Sequence, residues 1–186
     1  MINFGQQAFI PGQSYFGQNN YIEYIAGNLP IIIGVPHGGT LTPINLPVIH
    51  NRGVDNGSFE TSHLLYDSIV QHTNGCFPHM IISHLHPSVM NPVREIDTAA
   101  GTNIDARNAW YEFHDFIDTA KFEITNNWGA GHYFEMHGNG HSEMWTEIGL
   151  GVSKAYLNGS DSLILSRTNY STVKNLCTHG GADFLE

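Results

Sequence analysis

Residues 133–141 read YFEMHGNGH, and residues 30–39 read PIIIGVPHGG. Each is an apolar run of strand length that stops in histidine followed by glycine, so each predicts a buried strand ending where backbone can come close to a bound group. In open α/β sheets ligands sit beyond the carboxyl ends of the strands. One histidine in that setting is accounted for by capping its strand with a hydrogen bond. Two in the same setting, His37 and His137, point instead to a shared metal ion.

Working outward, strand-like runs alternate with helical ones. Tyr21–Ala26, Gly27, Asn28 and then 30–36 look like a hairpin feeding a central strand. Residues 1–20, rich in Gly, Gln and Asn, read as a loose lead-in, and 38–57, broken by Pro43, Pro47, Gly53 and Asn56, as a long loop over one sheet edge. Ser58 is the expected N-cap of a helix over 59–73, with Leu64, Leu65, Ile69 and Val70 at helical spacing and Asn74–Gly75 as its stop. HMIISHLH at 79–86 is another strand. Residues 105–127 carry Ala106, Ala109, Trp110, Phe113, Phe116, Ile117, Ala120 and Ile124 on one face, the clearest helix of the chain. TEIGLGVS at 146–153 reads as a further strand and 161–177 as a last helix. The expected fold is a three-layer α/β sandwich, a mostly parallel or mixed sheet flanked by helices, in one domain over 1–186. The abrupt ending THGGADFLE leaves open a missing C-terminal portion.

Composition narrows the partners. With 7 Lys+Arg against 17 Asp+Glu the formal charge is -10, which repels phosphate backbones and anionic membranes, so neither nucleic acid nor membrane is expected. A small anionic substrate would have to meet one of four arginines, Arg52, Arg94, Arg107 or Arg167. Cys76 and Cys177 form no metal-type pair or disulfide framework, and MINFGQQAFIPGQ shows no secretory pattern, so reduced thiols and a cytoplasmic location follow. An exposed sheet edge would favour a homo-oligomer, which the sequence does not decide.

A hydrolytic zinc site needs three protein ligands, an open position for water and a carboxylate to take the water's proton. His37 and His137 are the imidazole candidates. Glu60, in a first helical turn, is the carboxylate candidate, although the helix dipole alone explains an acid there. Glu135 shares a strand face with His137 and can orient it from behind. His141 could replace either imidazole, and His86 could add a polar contact. HxxxH spacing also suggests a helical zinc motif, but Gly138, Asn139 and Gly140 oppose a helix.

VPHGGTLTP at 35–43, Glu60, HLHPSVMNPVREID at 84–97, EMHGNGH at 135–141 and TEIGLG at 146–151, taken in order, resemble the N-formylglutamate amidohydrolase family, a branch of the zinc carboxypeptidase-like hydrolases. The likeness covers about 31–153. It implies a zinc-dependent amidohydrolase cleaving a C–N amide bond of a small acidic N-acyl or glutamate-type substrate. The implied zinc ligands are His37, an acid at Glu60 with Asp55 as the second choice, and His137. Arg94 would bind the substrate carboxylate, although Val93 stands where the family has asparagine. The general base would be Glu147, with Glu143 as its competitor. Two alternatives remain: a degenerate relative that binds metal or ligand without turnover, and a carboxypeptidase-like peptidase acting on γ-glutamyl bonds.

Overall fold

The structure is a computed structural model that describes residues 8–140, 142, 147–149 and 151–171. Contacts divide the chain into two units, Met1–Asn139 and Gly140–Glu186. The first unit is built on a five-stranded mixed sheet. Its strands are β1 (Ser14–Phe16), β2 (Ile22–Ile25), β3 (Ile31–Val35), β4 (His79–Ser83) and β5 (His132–Glu135), in the order β1-β2-β4-β3-β5. β1, β2 and β4 run antiparallel to their neighbours in turn, whereas β4, β3 and β5 are parallel.

Alternation along the two central strands sorts the core into two layers. Ile32 and Ile81 face α3 (Ile104–Trp128), joining Ala106, Ala109, Phe113, Phe116 and Ala120 in one cluster. Ile33, Val35, Met80 and Ile82 face the opposite way and pack against Phe59, Leu65, Tyr66 and Ile69 of α1 (Ser58–His72). Every residue of β4 is buried, as expected of a strand covered on both faces. The mixed sheet therefore carries a helix on each side. Phe113 and Phe116 are each 1% exposed, and truncating either to alanine should cost about 3 to 5 kcal/mol.

Four local expectations need correction. β2 and β3 are not a hairpin, because β4 lies between them. The intervening loop crosses the start of β4, where Asn28 and Leu29 N–H groups both donate to Phe77 O, at 2.8 and 3.0 Å. β5 is not buried. It is the sheet edge, pairing among the described residues with β3 alone, and Tyr133 and Phe134 are 40% and 49% exposed. Residues 14–16, expected to be loose, form edge strand β1. Ser58 is not a side-chain cap: the N-cap is Gly57, at φ +78°, and Ser58 Oγ donates back to Asp55 O at 2.7 Å. Asn103 does cap its helix, accepting from Asp105 and Ala106 N–H.

In the irregular segment before α3 a short helix, α2 (Ile96–Ala100), adds a small apolar patch through Ala99 and Ala100. The second unit contains α4 (Lys154–Leu157), α5 (Asp161–Leu165) and a 3-10 turn at Thr168–Tyr170. Arg167 stacks over Tyr156 there and donates to its hydroxyl at 2.8 Å. The strand expected over 146–153 is absent from its described residues, 147–149 and 151–153, while Thr146 and Leu150 lie outside them. The helix expected over 161–177 stops at Leu165, and residues beyond 171 are outside the described set.

Candidate metal centre

Three polar side chains meet beyond the carboxyl ends of β3 and β5. His37 comes two residues after β3 and is fully buried, and His137 comes two residues after β5 with a side chain 37% exposed. Asp55 comes from the end of the long loop. That loop is tied to β4's extension by the Leu41–Leu85 bridge, then returns so that Asp55 N–H donates to His37 O at 3.1 Å. Gly39 lets the outgoing end of the loop run against β4: a Cβ there would meet the carbonyl carbon of His84 and stand 2.5 Å from Ser83 O, well inside contact distance.

The separations are those of ligands around one small cation. His37 Nδ1 and His137 Nδ1 lie 3.2 Å apart, and Asp55 Oδ2 lies 3.3 and 3.0 Å from them. Ligands held tetrahedrally at 2.0–2.1 Å from one zinc ion stand about 3.3 Å from each other. The triangle is thus small enough for one ion seated just above its plane to reach all three atoms. His37, Asp55 and His137 form a group able to hold a metal ion.

Hydrogen bonds behind the imidazoles fix which nitrogen faces the centre. His37 Nε2–H donates to Asn91 Oδ1 at 2.8 Å, and His137 Nε2–H donates to Glu135 Oε1 at 2.8 Å. Both rings therefore turn Nδ1 inward, the orientation that an outer carboxylate or carbonyl imposes on metal-binding histidines. Asn91 is itself buried, with its N–H bonded to Ala99 O at 3.0 Å. Glu135 is braced by the Tyr133 hydroxyl at 2.9 Å, and the Tyr133 ring lies across Gly34, where a Cβ would stand 2.9 Å from its carbons.

The electrostatics separate the two rings. Burial pushes His37 below the ordinary imidazole value, so it is neutral near pH 7 and, with its proton on Nε2, turns a lone pair rather than a donor toward Asp55. The hydrogen bond to Glu135 pulls His137 up, with Asp55 adding to the effect. Burial pulls Asp55 up as well, but hydrogen bonds from His137 and the Gly138 N–H, helped by the charge of Arg52, hold it below the usual carboxylate range. The His137 hydrogen bond likewise lowers Glu135. A cation bound here would compete with a proton for His137 Nδ1.

Compared with known protein families, with curated proteins and with solved structures, the chain matches none. The centre therefore has to be read from its own geometry.

The carboxylate that joins the two imidazoles is Asp55, not Glu60. α1 turns Ser58, Phe59, Ser62 and Leu65 toward the sheet, which leaves Glu60 on the opposite, exposed side of the first turn. His86 closes its own turn, its Nδ1 2.7 Å from Ser88 Oγ, and stays outside the group. Arg94 is exposed. Glu147 is exposed in the second unit, and His141 and Glu143 lie outside the described residues. Sequence reasoning missed Asn91 and left Arg52 as one of four arginines open to an anion. Arg52 Nη2 donates to His37 Nδ1 at 3.1 Å and to Asp55 Oδ1 at 3.0 Å. Its position three residues before Asp55 sets it apart from the other three arginines only once Asp55 is known to belong to the centre.

Proposed function

We propose that the chain is a zinc-dependent amidohydrolase that cleaves a C–N amide bond of a small acidic substrate of the N-acyl or glutamate type. The observation that carries this reading is the triangle of two Nδ1 atoms and one Oδ2 atom, with both Nε2–H groups tied down behind it. Two imidazoles and one carboxylate are the donor set of many hydrolytic zinc sites, which leave a fourth position for water. When bound, zinc supplies an activated water and polarises the scissile carbonyl. The chain's own contribution is to hold the two rings with Nδ1 inward, keep Asp55 ionised and bury His37 away from water. The ordered motifs that resemble N-formylglutamate amidohydrolases support the same reaction class. Under that resemblance Arg94 binds the substrate carboxylate, and Glu147 or Glu143 takes the water's proton.

One observation favours a second reading, metal binding without turnover. The carboxylates described at the centre are already engaged, Asp55 by His137 and Arg52, and Glu135 by His137 and Tyr133. Hydrolysis of a panel of N-formyl and γ-glutamyl amino acids by the zinc-loaded protein, beside Glu147→Gln, separates the two readings. Turnover that collapses in the variant supports the amidohydrolase. Stoichiometric zinc with no turnover on any substrate supports the second reading, and a folded protein that takes up no zinc removes both.

A further inference from the structure

Among the described residues, Arg52 is the one cation in contact with the metal-binding group. Arg107 is bonded to Asp97 and Gly101 O, Lys121 to Asp118, and Arg167 belongs to the second unit. The two acceptors of Arg52 are not equivalent. His37 Nδ1 has a single lone pair, because its Nε2 carries the proton given to Asn91. That lone pair can receive Arg52 Nη2–H or a metal ion, but not both. Asp55 has two oxygens: Oδ2 faces the imidazoles and Oδ1 faces Arg52, so the carboxylate can bind a metal and keep the arginine at once.

We propose that Arg52 is the residue that reads an anionic ligand at this centre, released from His37 Nδ1 by the divalent cation and pivoting on Asp55 Oδ1 to offer its N–H donors to a carboxylate beside the metal. This rests on the metal-centre reading above. Arg52 has the means to make the change: its side chain is 39% exposed, so it has room to turn, and its planar guanidinium matches a carboxylate in a way a lysine cannot. Before release it competes with the metal twice, by occupying the His37 lone pair and by placing a positive charge beside the incoming cation. The geometry therefore couples the two events: metal frees the arginine, and the freed arginine recruits an acid. It also assigns to Arg52 the anion contact that motif resemblance places at Arg94.

The test uses the full chain with zinc and succinate as probes. Zinc affinity is measured by chelator competition for wild type, Arg52→Met, Arg52→Lys and Arg94→Met, with circular dichroism to check the fold, and succinate binding to each zinc-loaded protein is then measured by calorimetry. Arg52→Met should bind zinc roughly tenfold tighter, the scale of one lost charged hydrogen bond, and should lose succinate, with Arg52→Lys recovering only part of it. In wild type the guanidinium ¹⁵N resonance absent from Arg52→Met should shift on zinc addition and again on succinate addition. Weaker zinc binding in Arg52→Met would make Arg52 a prop of the site and overturn the proposal. Unchanged succinate binding in that variant, or its loss in Arg94→Met alone, overturns the anion assignment while the metal centre stands. A wild-type protein that binds no divalent cation overturns the metal-centre reading itself.

Discussion

Two histidines, His37 and His79, are buried equally deeply at opposite ends of the same parallel strand pair, and only one of them belongs to the group able to hold a metal ion. His79 opens β4, is 2% exposed, and has its Nδ1 taken up by the Tyr24 hydroxyl at 2.8 Å and the Gly27 N–H at 3.1 Å. Among the described residues no carboxylate hydrogen bonds to it, and burial pushes it down to about 4. His37 follows β3, has its Nε2 tied to Asn91, and turns Nδ1 toward a carboxylate, a second imidazole and a guanidinium. Burial lowers both rings. The difference lies in which nitrogen is spent on the fold and what the other one faces: His79 has its lone pair tied into the backbone, and His37 has its lone pair aimed at two other ligand atoms.

The largest effect should come from breaking the His37 side of this comparison. Replacing His37, His137 or Asp55 by alanine removes one of three donors, and the metal content of the purified protein should fall from about one equivalent to background, measured by elemental analysis. Replacing His79 by glutamine should leave that content unchanged. Equal metal loss in both variants would mean that the imidazoles act through stability alone.

The next effect belongs to His79. Its folded value lies below the ordinary 6.5, so between pH 6.5 and about 4 the unfolded chain binds a proton that the folded chain refuses, and stability rises with pH across that window. The contribution is fully present above 6.5, and it is lost as pH falls toward 4. The shift corresponds to about 3 kcal/mol. Urea denaturation at a series of pH values, with chelator present, should show a slope in wild type that is largely missing from His79→Gln.

Smaller again are the groups behind the inward-facing nitrogens. Asn91→Ala and Glu135→Gln leave all three donors in place but release the rings from one tautomer and orientation. Zinc affinity should fall about 10- to 100-fold in each, read by chelator competition. A loss as complete as that of His37→Ala would show that Asn91 or Glu135 is itself a ligand.

How far these differences could be read beforehand follows from their physical origin. Two apolar runs, each ending in histidine and glycine, already told that His37 and His137 leave the sheet at the same end, because parallel neighbours deliver their carboxyl ends together. The alternation of Glu135, Met136 and His137 put Glu135 on the histidine's side of the strand. Helix α3 was legible from its apolar face alone. Asp55 was reached only through the family resemblance and as the second choice to Glu60, because a loop has no period to say which of its residues returns to the sheet. Its capture depends on the Asp55 N–H to His37 O bond and on the close approach of Gly138 to Asp55, contacts that exist only in three dimensions. The exposure of β5 was hidden for a related reason. YFEM reads as apolar whether or not a further layer covers it, so hydrophobicity could not tell an edge from a centre.

Glu60 sharpens the comparison at its lower limit. A carboxylate in the first turn of a helix has a purpose without any metal, since the unpaired N–H groups and the dipole of α1 favour negative charge there. Its exposure on the outward side of that turn gives the dipole effect its usual surface value, about 0.3 to 1 kcal/mol. Glu60→Gln should therefore lower the denaturation midpoint slightly and leave zinc stoichiometry and affinity as they are in wild type. Asp55→Asn should have the converse profile, with metal binding lost at little further cost in fold, because the amide keeps the shape of the carboxylate and gives up its charge. If Glu60→Gln instead sheds zinc, α1 must turn or the loop must withdraw when metal binds, and the acid chosen by the triangle of ligand atoms would be the wrong one.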